Sequence, residues 1–322
     1  MARIAAGLLS DLVLVRMQGR ARRYVDASEG ERRALVEACR REATVRDLAE
    51  RILSRTIYGQ AAHRAAAVRE LVQNALDASP RGARIDVRTG EAGRELVVAD
   101  AGRGMSRREL LDELLVPFRS SKEREIDAIG EHGIGFLAAL ELATSVEVTT
   151  VARAGGAHAL RLIGAGQAPP FDDFAWELDE LPGGGAPGTT VRIALAQPVD
   201  RAAIAAEVAA VAGFVDPSIL RIYVNDALVN VARARARRVA RVPIEGSPGD
   251  LELFIGRGEG IPPHVVLTQK GLSVAVRQDP FPGPDHALHR DLFRALAAAG
   301  YGVIAEVPAC VPLNKGRSAV AA

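Results

Sequence analysis

Glu70, Asn74 and Asp77 stand at spacing i, i+4 and i+7 in the run Glu70-Leu-Val-Gln-Asn-Ala-Leu-Asp77. Apolar residues recur around them at Ala67, Leu71, Ala75 and Ala78, and neither Gly nor Pro interrupts 61–79, which predicts a helix. At about 100° per residue the three polar side chains fall within a sector of roughly 60° and share one face. A carboxylate placed there can orient and deprotonate a water. The amide oxygen of Asn74, one turn further on, can ligate magnesium, a cation that keeps several waters and takes few protein ligands. Taken alone, such a stripe is also what the solvated face of an ordinary amphipathic helix looks like.

Two downstream segments turn the stripe towards chemistry. Residues 84–88 and 94–99 flank the turn signal Thr89-Gly-Glu-Ala-Gly93 and read as a hairpin whose second strand runs into Asp100-Ala-Gly102-Arg-Gly104-Met105. A carboxylate at a strand end can accept a hydrogen bond from the exocyclic amine of adenine, and Gly102 and Gly104 let a base lie against bare backbone. An ordinary Asp-X-Gly turn is the alternative. Gly130, Gly133 and Gly135 then precede the helical run 136–144, so unblocked amides at a helix start are available to phosphate. No βαβ pattern surrounds them, which separates this Gly spacing from the dinucleotide fingerprint. Residues 117–127 read as a lid, with the Ser121 hydroxyl and the Lys122 ammonium within reach of phosphates. The three segments fall in order within 66 residues, and together they hold the groups that ATP with Mg2+ demands.

These segments resemble those of the GHKL ATPase superfamily of DNA gyrase, MutL, histidine kinases and the heat-shock-protein-90 chaperones. The resemblance implies an ATPase with Glu70 as general base, Asn74 as magnesium ligand, Asp100 as adenine contact, and Gly130, Gly133 and Gly135 as lid amides. It places Asp77, Gly102, Gly104, Met105, Ser121, Lys122, Ile134 and Phe136 along the ATP site. Gly188-Thr189-Thr190 follows a Gly/Pro-rich loop and opens a strand, as the family's Gly-Thr element does, which puts the Thr189 hydroxyl near the adenine. The stretches 44–58, 69–78 and 129–136 are similar to the chaperone branch. Val311-Pro-Leu-Asn-Lys-Gly-Arg317 resembles the chaperones' middle-domain loop, whose Arg reaches the γ-phosphate, so Arg317 is the candidate finger and Lys315 its fallback. A competing candidate is Lys270 in Thr268-Gln269-Lys270, since gyrase-like relatives use a middle-domain lysine for the same electrostatic job. The implied fold is α+β, a two-layer α/β sandwich ATP-binding domain of the Bergerat type followed by a smaller αβ middle, or transducer-like, domain. A nucleotide-driven chaperone is the expected role, with protein clients and a nucleotide-dependent homodimer as partners. The alternatives are a MutL- or topoisomerase-like protein bound to nucleic acid and a non-hydrolysing ATP-gated interaction module.

At 322 residues and 48% hydrophobic content the chain can bury two cores. The expected organisation is a helical extension over 1–43, the ATP-binding domain over 44–216 and a partial middle domain over 217–322. Expected strands near 219–224 and 227–232 belong to the last of these, and 169–188 is expected to be a long loop. The net charge of +1 argues neither for nor against nucleic acid. Arg233, Arg235 and Arg237 would share a face of a strand, either as a phosphate-holding stripe or as a charged edge. Cys39 and Cys310 lie far apart without partners at metal-ligand spacing, which suits a reducing compartment. No run approaches the roughly 18 to 20 apolar residues of a membrane span, and the expected location is the cytoplasm.

Overall fold

The computed structural model describes residues 2–4, 27–40, 64–114, 136, 139, 143–163, 175–244, 248–258, 260–277 and 287–308. Strand β1 (Ala2–Ile4) and helix α1 (Glu29–Arg40) precede α2 (Arg64–Ala78), β2 (Arg84–Thr89) and β3 (Glu95–Asp100). Then come β4 (Ala143–Val151), β5 (Ala157–Ile163), β6 (Ala175–Leu181), β7 (Gly188–Leu195), α3 (Arg201–Ala212), β8 (Arg221–Val224) and β9 (Ala227–Leu228). The nine strands form one sheet in the order β1-β6-β5-β4-β7-β3-β2-β8-β9, and only the β2–β8 pair is parallel.

Alternation decides which face of this sheet is covered. Ile85 and Val87, Leu96 and Val98, Val146 and Val148, Leu160 and Leu162 are buried in one cluster with Leu71, Val72 and Ala75 of α2 and Ile204 and Val208 of α3. On the opposite face the register sets Arg192, Glu147, Arg161 and Glu177 side by side across four strands, with charges of alternating sign. Arg161 pairs with Glu147 at 3.3 Å, a cross-strand arrangement suited to a face left to water. Helix α2 stops before Pro80, and the Ser79 hydroxyl donates to the Ala75 carbonyl at 2.6 Å. Helix α3 starts at Asp200, whose carboxylate accepts from the Ala202 and Ala203 amides, a cap that contributes about 1 kcal/mol.

A second sheet is built from β10 (Ala236–Pro243), β11 (Asp250–Arg257), β12 (Val265–Gln269), β13 (Leu272–Arg277) and β14 (Tyr301–Val307), in the order β10-β11-β14-β12-β13. One face packs Phe254, Val266 and Ile304 against Phe214, and the other packs Val265 and Ala305 against Phe293 of α4 (Ala287–Ala298). The β12–β13 turn places Lys270 and Gly271 at φ of 52° and 77°, a pattern of two left-handed residues that matches strand twist. Gly271 is required there, because a Cβ would lie 2.5 Å from the Cα of Val215. The half-buried Glu306 carboxylate holds the turn, accepting from the Thr268 hydroxyl and from the Gly271 amide at 3.1 and 3.3 Å.

Four expectations need correction. The 169–188 loop contains strand β6, whose Glu177, Asp179 and Glu180 hide its strand character because acidic residues have low β-propensity. The segments near 219–232 contribute β8 and β9 to the nine-stranded sheet through parallel pairing with β2, so that sheet runs on beyond residue 216. Within the extension, Ala2–Ile4 is a strand paired with β6, too short to show a period, while α1 is helical as expected. Arg233–Arg235 forms a 3-10 turn instead of a strand, and the Arg233 guanidinium stacks 3.3 Å from the Phe254 ring centroid.

Burial pushes the Glu306 carboxyl above its ordinary value, while the Thr268 hydroxyl, the Gly271 amide and Arg233 pull the other way. The native state therefore holds a proton that the unfolded chain has already released, and stability falls as pH rises from the ordinary Glu value of 4.5 through the raised one. Melting curves of the parent and of Glu306→Gln should diverge over that range, the parent losing melting temperature relative to the variant as pH rises. Parallel curves would contradict the burial argument.

Candidate functional site

Strand register brings Asp100 at the end of β3 opposite Thr189 near the start of β7, and Thr189 opposite Thr150 of β4. Directly opposed residues point to the same side of a sheet. That side is the one α2 covers, because Ile85, the partner of Asp100 on β2, lies in its core. Thr150 is fully buried and Thr189 nearly so. The Thr150 Oγ1 accepts the Met105 amide at 2.8 Å and lies 3.1 Å from both the Thr189 Oγ1 and the Gly188 carbonyl oxygen.

The loop after Asp100 is pinned between α2 and β4. Asp100 Oδ1 accepts the Gly102 amide at 2.8 Å. The Arg103 amide donates to the carbonyl of Ala78, the last residue of α2, at 3.1 Å, and the Arg103 carbonyl accepts from the Arg153 amide at 2.8 Å. A Cβ at Gly102 would sit 2.6 Å from the Ala78 carbonyl oxygen, and one at Gly104, whose φ is 64°, would sit 1.8 Å from that of Val151. Both glycines are thus required by close backbone approach. Ser106 then caps a short helical turn reciprocally with Glu109. Burial raises the Glu109 carboxyl, but the Ser106 amide and hydroxyl and the Arg103 guanidinium outweigh it and hold it below its ordinary value.

On α2, Glu70, Asn74 and Asp77 are half-buried while Leu71, Val72, Ala75 and Leu76 are buried, so the three form one half-open stripe. The side chains of Glu70 and Asn74 make no hydrogen bond or ion pair with a described residue. Two oxygens one helical turn apart are therefore available to a water and a cation. Among the described residues no three His, Cys, Asp or Glu converge on a point. The donor set suits magnesium held by one amide oxygen together with waters and phosphates.

Three residues near these groups were not picked out from the sequence. Arg69, beside Glu70, donates to the Ser273 carbonyl of β13 at 2.5 Å and so ties α2 to the second sheet. Gln73 is wholly buried, and neither of its amide atoms has a hydrogen-bond partner. A polar pair at i and i+4 on the flank of the Glu70 stripe was the signal available for these two. Thr150 offered none, since it stands out only once β4 is paired with β7. Phe136 is buried in the core beneath α2. Ser121, Lys122, Gly130, Gly133, Ile134 and Gly135, together with Lys315 and Arg317, lie outside the described residues.

Residues 62–161 match the family model described as histidine kinase-, DNA gyrase B-, and HSP90-like ATPase. The match supports a GHKL-type ATPase domain over that stretch, and the mixed α/β architecture is compatible with one. It takes in Glu70, Asn74, Asp77, Asp100, the Gly102–Met105 loop and Thr150, and it ends in β5 before Thr189 and the second sheet. A comparison with curated proteins finds no match. Among the described residues no helix is long and apolar enough to cross a membrane.

Gly104→Ala should destabilise the protein by about 2 kcal/mol or more, because the new methyl meets the Val151 carbonyl in a backbone region L-residues avoid. Gly155 has a φ of 99° and nothing within 4 Å of where a methyl would go, so Gly155→Ala should cost about 1 kcal/mol, from backbone strain alone. Denaturant melts of the two variants side by side check the difference, and equal losses would deny the close packing of the loop.

Proposed function

We propose that the chain binds ATP with magnesium and hydrolyses it, using the cycle to change its shape in the manner of a heat-shock-protein-90-type chaperone acting on protein clients. The observation that carries the reading is the level row Asp100, Thr189 and Thr150, stitched through its glycine loop to the end of the helix that bears Glu70 and Asn74. The Asp100 carboxylate accepts the exocyclic amine of adenine. Glu70 takes the proton of the attacking water, and Asn74 offers its carbonyl oxygen to the metal. Magnesium, when bound, neutralises charge on the phosphates. The lid glycines Gly130, Gly133 and Gly135, with Ser121 and Lys122, are assigned to the phosphates, and Asp77 and Ile134 to the walls of the site, while Phe136, buried in the core, is not among them.

A cationic finger from the second domain completes the reaction. Arg317 remains the candidate from the loop resemblance. Lys270 gains support as a second candidate because its turn is held by Glu306 and by the fit of Gly271 on Val215, and its strand meets Arg69 at Ser273. The nucleic-acid alternative rested on Arg233, Arg235 and Arg237 sharing one face of a strand, and it loses support because Arg233–Arg235 is a 3-10 turn with Arg233 stacked on Phe254.

Phosphate release and calorimetry on single variants test the assignment. Glu70→Ala should bind ATP with the parent's affinity and lose at least about a hundredfold in turnover, while Asp100→Asn should lose binding by more than about tenfold. Arg317→Ala or Lys270→Ala should slow hydrolysis with little change in affinity, and whichever does so names the finger. Turnover of Glu70→Ala at the parent rate would overturn the choice of base.

A further inference from the structure

We propose that Thr150 is a specificity-determining positioning residue that fixes the hydrogen-bonding polarity of Thr189 and thereby selects a 6-amino over a 6-oxo purine. The inference rests on the nucleotide reading above.

A hydroxyl has one hydrogen to give and two lone pairs to receive. The Thr150 hydroxyl is fully buried and has three polar neighbours in reach: the Met105 amide at 2.8 Å, and the Gly188 carbonyl oxygen and the Thr189 hydroxyl at 3.1 Å each. The amide can only donate and the carbonyl can only accept. One assignment satisfies all three neighbours. Thr150 gives its hydrogen to Gly188 and accepts from both Met105 and Thr189. Were Thr150 to donate to Thr189 instead, the Gly188 carbonyl would lose this partner, and an acceptor left unpaired there would cost about 1 to 3 kcal/mol, which disfavours that arrangement.

The consequence lies one residue away. The single hydrogen of Thr189 is spent on Thr150, and Thr189 turns only lone pairs outward. Its neighbour Asp100 on β3 is a carboxylate, so two acceptors stand side by side where the base edge is read. An exocyclic amine carries two hydrogens and suits such a pair. An oxo group at the same position brings lone pairs against both, and a site built for one hydrogen-bond polarity rejects the other strongly. In Thr150→Val the shape is kept and the constraint on Thr189 is removed. The Thr189 hydroxyl can then rotate and donate to an oxo group.

The test is calorimetric titration of the full-length protein with ATP and with ITP in the presence of magnesium, for the parent, Thr150→Val, Thr150→Ser and Thr189→Val. The parent should prefer ATP. Thr150→Val should reduce the ATP-to-ITP affinity ratio by at least about tenfold, and Thr150→Ser, which restores the hydroxyl, should recover it. In the Thr189→Val background a second change at Thr150 should leave the ratio where it is, since Thr150 acts only through Thr189. A ratio in Thr150→Val within about threefold of the parent's, or an unrestored ratio in Thr150→Ser, overturns the inference and leaves the nucleotide reading standing. Should Thr150→Val not fold, Thr150→Ala and Thr150→Ser decide between the same two results. A parent that binds neither nucleotide removes the nucleotide reading and this inference with it.

Discussion

Backbone pairing of β3 with β7, and of β7 with β4, is the constraint on which the candidate site depends. Those ladders place Asp100, Thr189 and Thr150 level with one another, although they are scattered over 90 residues of chain. A shift of one residue in either ladder would turn the threonines to the charged, water-facing side and put Thr190 or Thr149 in their place. The register is set by burial, since Ile193, Val146 and Val148 must stay beneath α2 and α3. Packing of the core and placement of the polar row are thus one and the same event.

Around that row the chain brings backbone closer to backbone than side chains would allow. Gly102 meets the end of α2 and Gly104 meets the end of β4, and the amides of Arg103 and Met105 are spent on Ala78 and Thr150. The loop is rigid for a physical reason: its polar groups are satisfied within the fold. Helix α2 behaves differently. It is buried on most of its circumference, yet it leaves Glu70 and Asn74 without bonds to described residues and buries Gln73 with its amide unsatisfied. Unmet polar capacity concentrated on one helix is a cost that an ordinary core helix avoids. The Arg69 bond to Ser273 ties that same helix to the second sheet, so movement of one would be felt by the other.

Much of the architecture was legible in the chain itself. The hairpin pattern marked β2 and β3, the Gly188-Thr189-Thr190 element marked the start of β7, and helical periodicity marked α2 with ends close to those observed. The failures have separate causes. β6 is rich in acidic residues that face water, β1 is too short to show a period, and the Arg233–Arg235 turn follows the demands of stacking on Phe254. β8 and β9 were seen as strands, but their sheet was assigned wrongly, because parallel pairing to β2 leaves no mark on the local sequence.

Residue types and spacing alone determined the chemistry on offer: a carboxylate and an amide on one helical face, an Asp at a strand end, and glycines where backbone must come close. These are local facts, carried by periods of 3.6 and 2 and by the missing Cβ of glycine. Only the tertiary structure decided which distant groups meet. Thr150 became visible through a cross-strand neighbour, Arg69 through a carbonyl 204 residues away, and Glu306 through a turn 35 residues before it. Sheet register and buried hydrogen-bond closure are properties of the whole packed chain, and a single stretch of sequence does not contain them.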